Sequence, residues 1–427
     1  MNRKTIITDL LAGLTVSFAA LALGAAFGVM SGRGAFAGMI AAAVIPIFTG
    51  LFGGTRLSVS GPTGPMTAVS ALVVAFAYEN FPDKILAEQF VSLVFILLGV
   101  CLLLASLFRL ARFITYIPQV VILGFMSGIA LLIWLDQFKV MFGLDRKTAP
   151  EGSLLTNIGL VIGTLVLIFL IPALTKKFVP AKVRPFIPAT LTAIILMTVI
   201  SSVFKLDVGH IALGSDSHSI TDLVNLAISY FPTAEILTKE YFMLALPYAL
   251  QLCLLGYLDS LLTALIMDNL TREKSNFDKE LMGQGLSNIA SAICMGIPGA
   301  QATIRSVLLF KEGASTRLGA ISTGIIALLL FMVFKDYVTL VTSAVFIGVL
   351  LKAAWDVFEK EFLTYYIKHK WYFNKKRNIQ QAFILYTMLC TAFLDLNIAV
   401  VTGTIFYYIA RKVWNISDVE IDLTGNV

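Results

Sequence analysis

The sequence predicts an all-α polytopic membrane protein of 14 transmembrane segments, arranged as two halves of seven in opposite orientation. Three observations predict it: a scarcity of charge, apolar runs long enough to cross a bilayer, and basic residues gathered on one side of the segments so defined. Of the 427 residues, 58% are hydrophobic and 14% charged. A soluble globular protein carries roughly 25% charged residues. A chain this poor in charge cannot cover a water-facing surface. Its apolar stretches reach the length a spanning helix needs, about 20 residues. The first, Leu10 to Met30, runs straight into another apolar stretch without a small-residue cleavage site and polar mature region, which argues against a removable signal peptide.

In chain order the first half is expected to span at 8–31, 34–53, 58–79, 87–108, 117–141, 154–175 and 186–204. The second follows at 240–268, 281–295, 299–311, 318–334, 337–354, 379–395 and 397–413. Several of these are too short or too interrupted for simple helices. Lys and Arg accumulate on the cytoplasmic side, so their placement checks the map independently. With the N-terminus inside, 23 of the 32 basic residues fall inside, 8 fall outside, and Arg305 alone lies within the membrane. A missed or invented span would scramble this asymmetry downstream. The net charge of +6 is therefore topological and implies no nucleic acid.

The longest outside stretch, 205–239, separates a first repeat (1–204) from a second (240–413). An odd number of spans in each forces the second to be inverted. Inverted repeats are common in secondary transporters, with the binding site near the midplane where the repeats meet. The four cysteines, Cys101, Cys253, Cys294 and Cys390, fall in apolar spans. They read as small buried side chains with no disulfide framework. The three histidines, His210, His218 and His369, lie outside the spans, so the sequence shows no metal site.

Gly- and Pro-interrupted segments at corresponding positions of the halves are the best pointer to a binding site. Here they are the third and tenth segments, in the stretches Ser58 to Met66 and Gly296 to Arg305. Each reads as an extended entry followed by a half-helix, so that two helix N-termini point at one central place. Such an end leaves backbone N–H groups unpaired and carries roughly half a positive charge. Anions bind there readily. Thr63 and Thr303 stand at the two helix starts with hydroxyls that can donate to an oxyanion, or that merely cap their helices. Asp259, an intramembrane carboxylate, is a functional candidate, and Thr263 lies one helical turn on. A carboxylate, a hydroxyl and unwound-backbone carbonyls are hard oxygen ligands suited to Na⁺. Arg305 could hold an anion directly. Alternatively, Asp259 and Arg305 neutralise each other as a buried pair.

At these residues the sequence resembles the sulfate permease (SulP) family of anion transporters, and within it the cyanobacterial sodium-dependent bicarbonate transporters. The stretches that carry the likeness are Phe27 to Gly32, Ser60 to Thr67, Gly124 to Gly128, Leu258 to Thr263 and Glu280 to Asn288, in family order. The resemblance implies core (transport) and gate (scaffold) domains, elevator-like alternating access and a homodimer. It implies an anion at Thr63, Ala302 and Thr303, and sodium among Asp259, Thr263, the Gln301 backbone and Thr303. A bacterial inner-membrane location with both termini cytoplasmic goes with it, and no cofactor beyond a coupling Na⁺. Three features depart from the family. Ala22-Leu23 replaces a frequent Pro-Gln, and Arg305 stands where the bicarbonate branch has a small residue, which favours sulfate, chloride or another anion. The family's soluble STAS domain is expected to be absent. Exchange or channel-like conduction, and a nucleobase permease using Asp259, remain alternatives. A membrane enzyme is disfavoured by the lack of intramembrane His.

Overall fold

In hydrocarbon a backbone finds hydrogen-bond partners only in itself, and helices are what long uncharged runs become. The computed structural model describes residues 3–144, 152–180, 187, 189–209, 220–334, 340–368, 373–394 and 396–414. Its helices are α1 (Arg3–Met30), α2 (Ala35–Phe52), α3 (Gly64–Asn80), α4 (Lys84–Leu107), α5 (Gln119–Met141), α6 (Leu154–Phe178), α7 (Ala189–Val203), α8 (Ile220–Ser229) and α9 (Lys239–Thr271). They continue with α10 (Phe277–Ile293), α11 (Thr303–Lys311), α12 (Arg317–Phe334), α13 (Ser343–Val357), α14 (Lys360–Lys368), α15 (Lys375–Phe393) and α16 (Leu396–Trp414). A helix lies at every one of the stretches expected to span. By length and composition α1, α2, α4, α5, α6 and the Lys239–Asp268 part of α9 are able to cross a membrane.

Two helices were not expected. The connection 205–239 contains α8, and α14 occupies the loop before α15. Both are short and two-faced, with apolar residues recurring at helical spacing between polar ones, a pattern that local charge counting passes over. The cysteines also need correction. Cys390 is buried and Cys101 and Cys253 are half-buried, but Cys294 is exposed because it ends α10, where the chain turns away. All four are free. The three histidines lie outside the described residues.

One compact unit comprises Met1–Ala111 and Val140–Val349. It draws on both halves of the chain, and its helix pairs recur in matched form. Helix α4 packs on α10 as α12 packs on α2; α1 packs on α12 as α9 packs on α4; α3 meets α9 as α11 meets α1. The other unit comprises Arg112–Lys139 and Leu350–Val427. In it the Gly124 to Gly128 stretch earns its small residues by close approach to α15. A Cβ on Gly124 would lie 2.6 Å from the Ile384 carbonyl oxygen, and one on Gly128 would lie 2.5 Å from Thr391 Cβ. Membrane helices gain contact by such small-residue faces.

Candidate functional site

The two broken segments meet. Strand β1 (Ser60–Gly61) pairs antiparallel with β2 (Ala300–Gln301), Ser60 opposite Gln301 and Gly61 opposite Ala300. The seam continues one step further, where Ala302 N donates to the Val59 carbonyl at 3.1 Å. Val59 N in turn donates to Ser306 Oγ at 3.0 Å. Glycine makes the approach possible: a Cβ on Gly299 would sit 2.3 Å from the Gly61 carbonyl carbon and oxygen. Helix α3 begins at Gly64 and α11 at Thr303, so both N-termini issue from this one seam. The first three amides of each helix have no intrahelical partner, except that Pro65 has none to offer. Two helix ends therefore present roughly half a positive charge each to the same region.

Neither threonine caps its helix through its side chain. Thr63 holds the N-cap position in extended backbone, yet its Oγ1 donates to Asp259 Oδ2 at 3.0 Å. Thr303 is the first helical residue, after Ala302 at the N-cap, and its Oγ1 lies 2.7 Å from Thr263 Oγ1. Thr263 Oγ1 also lies 3.3 Å from the Gln301 carbonyl oxygen, and Gln301 N donates to Ser260 Oγ at 3.2 Å. Asp259, Ser260 and Thr263 thus form the face of α9 that covers the seam, all buried. Two hydroxyls and a carbonyl, from Thr263, Thr303 and Gln301, come together there as hard oxygen donors, and Asp259 stands one helical turn from Thr263 on the same face of α9.

Arg305 does not form the buried pair with Asp259 that the sequence allowed. Among the described ion pairs none joins it to Asp259. Its Nη2 donates to the Pro62 carbonyl at 2.8 Å, strapping the start of α11 to the chain entering α3. Its Nη1 is enclosed without a hydrogen-bond partner, against Gly61, where a Cβ would come within 2.8 Å. The buried-pair reading fails because the two groups take different partners, neighbours in the chain entering α3: Arg305 holds the Pro62 carbonyl, and Asp259 accepts from the Thr63 hydroxyl.

Several residues that support the site had no assigned role from sequence. Along α10, Glu280, Gln284 and Asn288 recur at every fourth position and are fully buried or nearly so. Glu280 Oε2 accepts from Gly54 N and Thr55 N at 2.9 and 2.8 Å, which pins the chain leaving α2. Gln284 Nε2 donates to Ser60 Oγ at 2.7 Å, behind β1. Asn288 clasps Gly299, accepting from its N–H at 2.8 Å and donating to its carbonyl at 3.0 Å. The Gln301 amide fits with its nitrogen toward Glu280 Oε1 at 3.2 Å and its oxygen accepting from Ser58 Oγ at 3.1 Å. A polar stripe with this spacing in an apolar helix was the available signal. Arg33, which the charge map set outside the membrane, is buried in the protein and pairs with Glu88 at 2.7 Å.

The whole-chain comparisons decide the family. The model of the "Sulfate permease family" matches residues 6–376. The chain belongs to the sulfate permease family. It is an integral membrane transporter and not an enzyme. It is 33% identical over 420 residues to the bicarbonate transporter BicA of Picosynechococcus sp., covering 94% of this chain and 69% of that one. It is 30% identical over 414 residues to a protein of Bacillus subtilis named as the putative sulfate transporter YvdB, covering 96% of this chain and 74% of that one. The solved transmembrane domain of a cyanobacterial bicarbonate transporter BicA superposes with a TM-score of 0.79 at 28% identity, over 94% of this chain and 98% of that one. The murine Slc26a9 anion transporter shares the fold, with a TM-score of 0.75 at 17% identity over 97% of this chain and 69% of that one.

Proposed function

We propose that this anion transporter of the sulfate permease family is a secondary active carrier of bicarbonate or sulfate, and that the anion binds at the seam between α3 and α11. The observation that carries the reading is the β1–β2 pairing, which brings two helix N-termini to one place. There Thr63 and Thr303 stand at the two helix ends beside Ala302, whose own amide is taken by Val59, and such ends favour negative charge. Arg305 adds its charge from behind Gly61, held by its bond to Pro62. At the seam Arg305 and the two helix ends set positive charge against the carboxylate of Asp259, while Glu280 behind it is held on the Gly54 and Thr55 amides.

Sodium is the proposed coupling ion, held by Asp259, Thr263, the Gln301 carbonyl and Thr303. The oxygens of Thr263, Gln301 and Thr303 already lie within 3.3 Å of one another along two contacts. Cation and anion would then share Thr303, so that each ion's charge lowers the cost of placing the other. The matched packing of α1–α4 with α9–α12 supports two inverted repeats of seven segments. Elevator-type movement of a core domain against a gate domain, a homodimer, and a bacterial inner membrane with both termini cytoplasmic complete the proposal.

Uptake of radiolabelled bicarbonate and of sulfate into proteoliposomes, with and without an inward sodium gradient, tests it. Saturable uptake of one anion that rises with the gradient is expected. If neither anion enters, the substrate assignment is wrong. In Asp259→Asn, which keeps an acceptor for Thr63, the sodium stimulation should vanish while the protein still folds. Undiminished stimulation would remove Asp259 from the coupling site.

A further inference from the structure

The seam at the site is held from behind at both of its entries, and the second entry is held by charge at a distance. Arg33 lies between α1 and α2 and is 7% exposed. Its Nε donates to Glu88 Oε2 at 2.7 Å, its Nη2 to Ser92 Oγ at 3.0 Å, and its Nη1 to the Gly296 carbonyl at 3.2 Å. The guanidinium also lies over the Phe95 ring, 5.6 Å from its centroid. Glu88 Oε1 accepts from Tyr78 on α3 at 2.6 Å. One ion pair therefore reaches the far end of α3 through Tyr78 and the entry of the second broken segment through Gly296. Glu280 does the complementary work at the first entry by taking the Gly54 and Thr55 amides.

Only a guanidinium can make this set of bonds, because its five donors form a rigid planar fork. Lysine could keep the pair with Glu88, but its point charge could not serve Glu88, Ser92 and Gly296 in three fixed directions. Gly296 stands six residues ahead of Ala302, at most about 20 Å along extended chain. We propose that Arg33, held by Glu88, is a positioning residue: it fixes the entry of the second broken segment and so sets the β1–β2 register that brings the α3 and α11 helix ends together. An ion pair that served stability alone would be replaceable by apolar side chains of similar volume at little cost. Register set through the Gly296 carbonyl would not survive that replacement.

Two readouts separate these roles. The first needs no substrate: with Cys101, Cys253, Cys294 and Cys390 replaced by serine, Ser60→Cys and Gln301→Cys place thiols at opposite positions of the pair. Such positions are close enough for a disulfide. Oxidative cross-linking in membranes should be efficient with Arg33 present. It should fall several-fold in Arg33→Lys and in the apolar double variant Arg33→Met with Glu88→Leu. The second readout rests on the proposed function and uses the otherwise unmodified protein. Whichever anion it takes up should show a KM raised about threefold or more in both variants, with the maximal rate per folded molecule changed less. Size-exclusion profiles in detergent count the folded molecules. If the double variant folds, cross-links like its parent and keeps the parent KM, Arg33 is a structural ion pair and the proposal fails. Should the double variant not fold, Arg33→Lys with unchanged cross-linking overturns it equally. If the unmodified protein takes up neither bicarbonate nor sulfate while cross-linking still depends on Arg33, the substrate reading fails and the positioning role stands.

Discussion

Two arginines are buried in the same compact unit, and the protein treats them in opposite ways. Arg33 has a partner at each of its nitrogens: a carboxylate, a hydroxyl and a carbonyl accept from it, and an aromatic face lies beneath its charge. Arg305, also buried at the seam, has one carbonyl and an enclosed nitrogen without a partner. Burying a charge is costly unless it is paired, and unsatisfied buried groups are rare enough to call for an explanation. The first arginine organises backbone. The second leaves positive charge uncompensated by protein beside two helix N-termini, where a ligand of opposite sign can complete it. Neither residue type nor burial separates the two roles; the census of partners does.

That contrast can be broken from either side. The largest effect belongs to Glu88→Ala, which strands Arg33 in the interior. Breaking one side of a buried pair costs about 3–5 kcal/mol, and thermal unfolding in detergent should show a loss on that scale. A loss near zero would mean that the pair is replaceable and the contrast illusory. Next comes Arg305→Ala, for which anion affinity should fall about tenfold, equivalent to about 1.4 kcal/mol. Its stability should fall only by the one charge-assisted hydrogen bond to Pro62, about 1.5–3 kcal/mol. Anion-dependent thermal stabilisation measures both quantities in one titration. Intact affinity with a large stability loss would move Arg305 into the class of Arg33. The smallest effect is expected for Thr303→Val, which removes a hydroxyl shared between the proposed anion and cation sites. Weakening by about 0.5–1.5 kcal/mol should appear for the anion, together with a shifted sodium dependence of uptake. An unchanged sodium dependence would confine Thr303 to the anion.

Much of this site was legible before any contact was known. Gly and Pro in Ser58 to Met66 and Gly296 to Arg305 marked extended backbone at depth, and the helix starts at Gly64 and Thr303 follow from it. Asp259 and Thr263 were legible as one helical face, since residues four apart share a side. The bonding of Thr63 was not: its place suggested either an anion ligand or a cap, and the structure has it donating to Asp259. Arg33 read as a loop residue because its sequence neighbours are glycine, serine and alanine, and nothing within a few residues announces Glu88. Cys294 misled for a related reason, being apolar in context but terminal on its helix.

What the sequence determined by itself is everything that local chemistry decides: that the chain lives in a membrane, where its helices run, and which two of them break. Apolar length, turn-forming residues and charge placement act over a few residues, so they can be read without folding the chain. What only tertiary structure decided is which groups compensate one another. Thr63 and Asp259 are 196 residues apart, and Arg33 and Gly296 are 263 apart. A buried charge takes its partner from whichever segment packing brings within about 3 Å, and no local pattern encodes that choice.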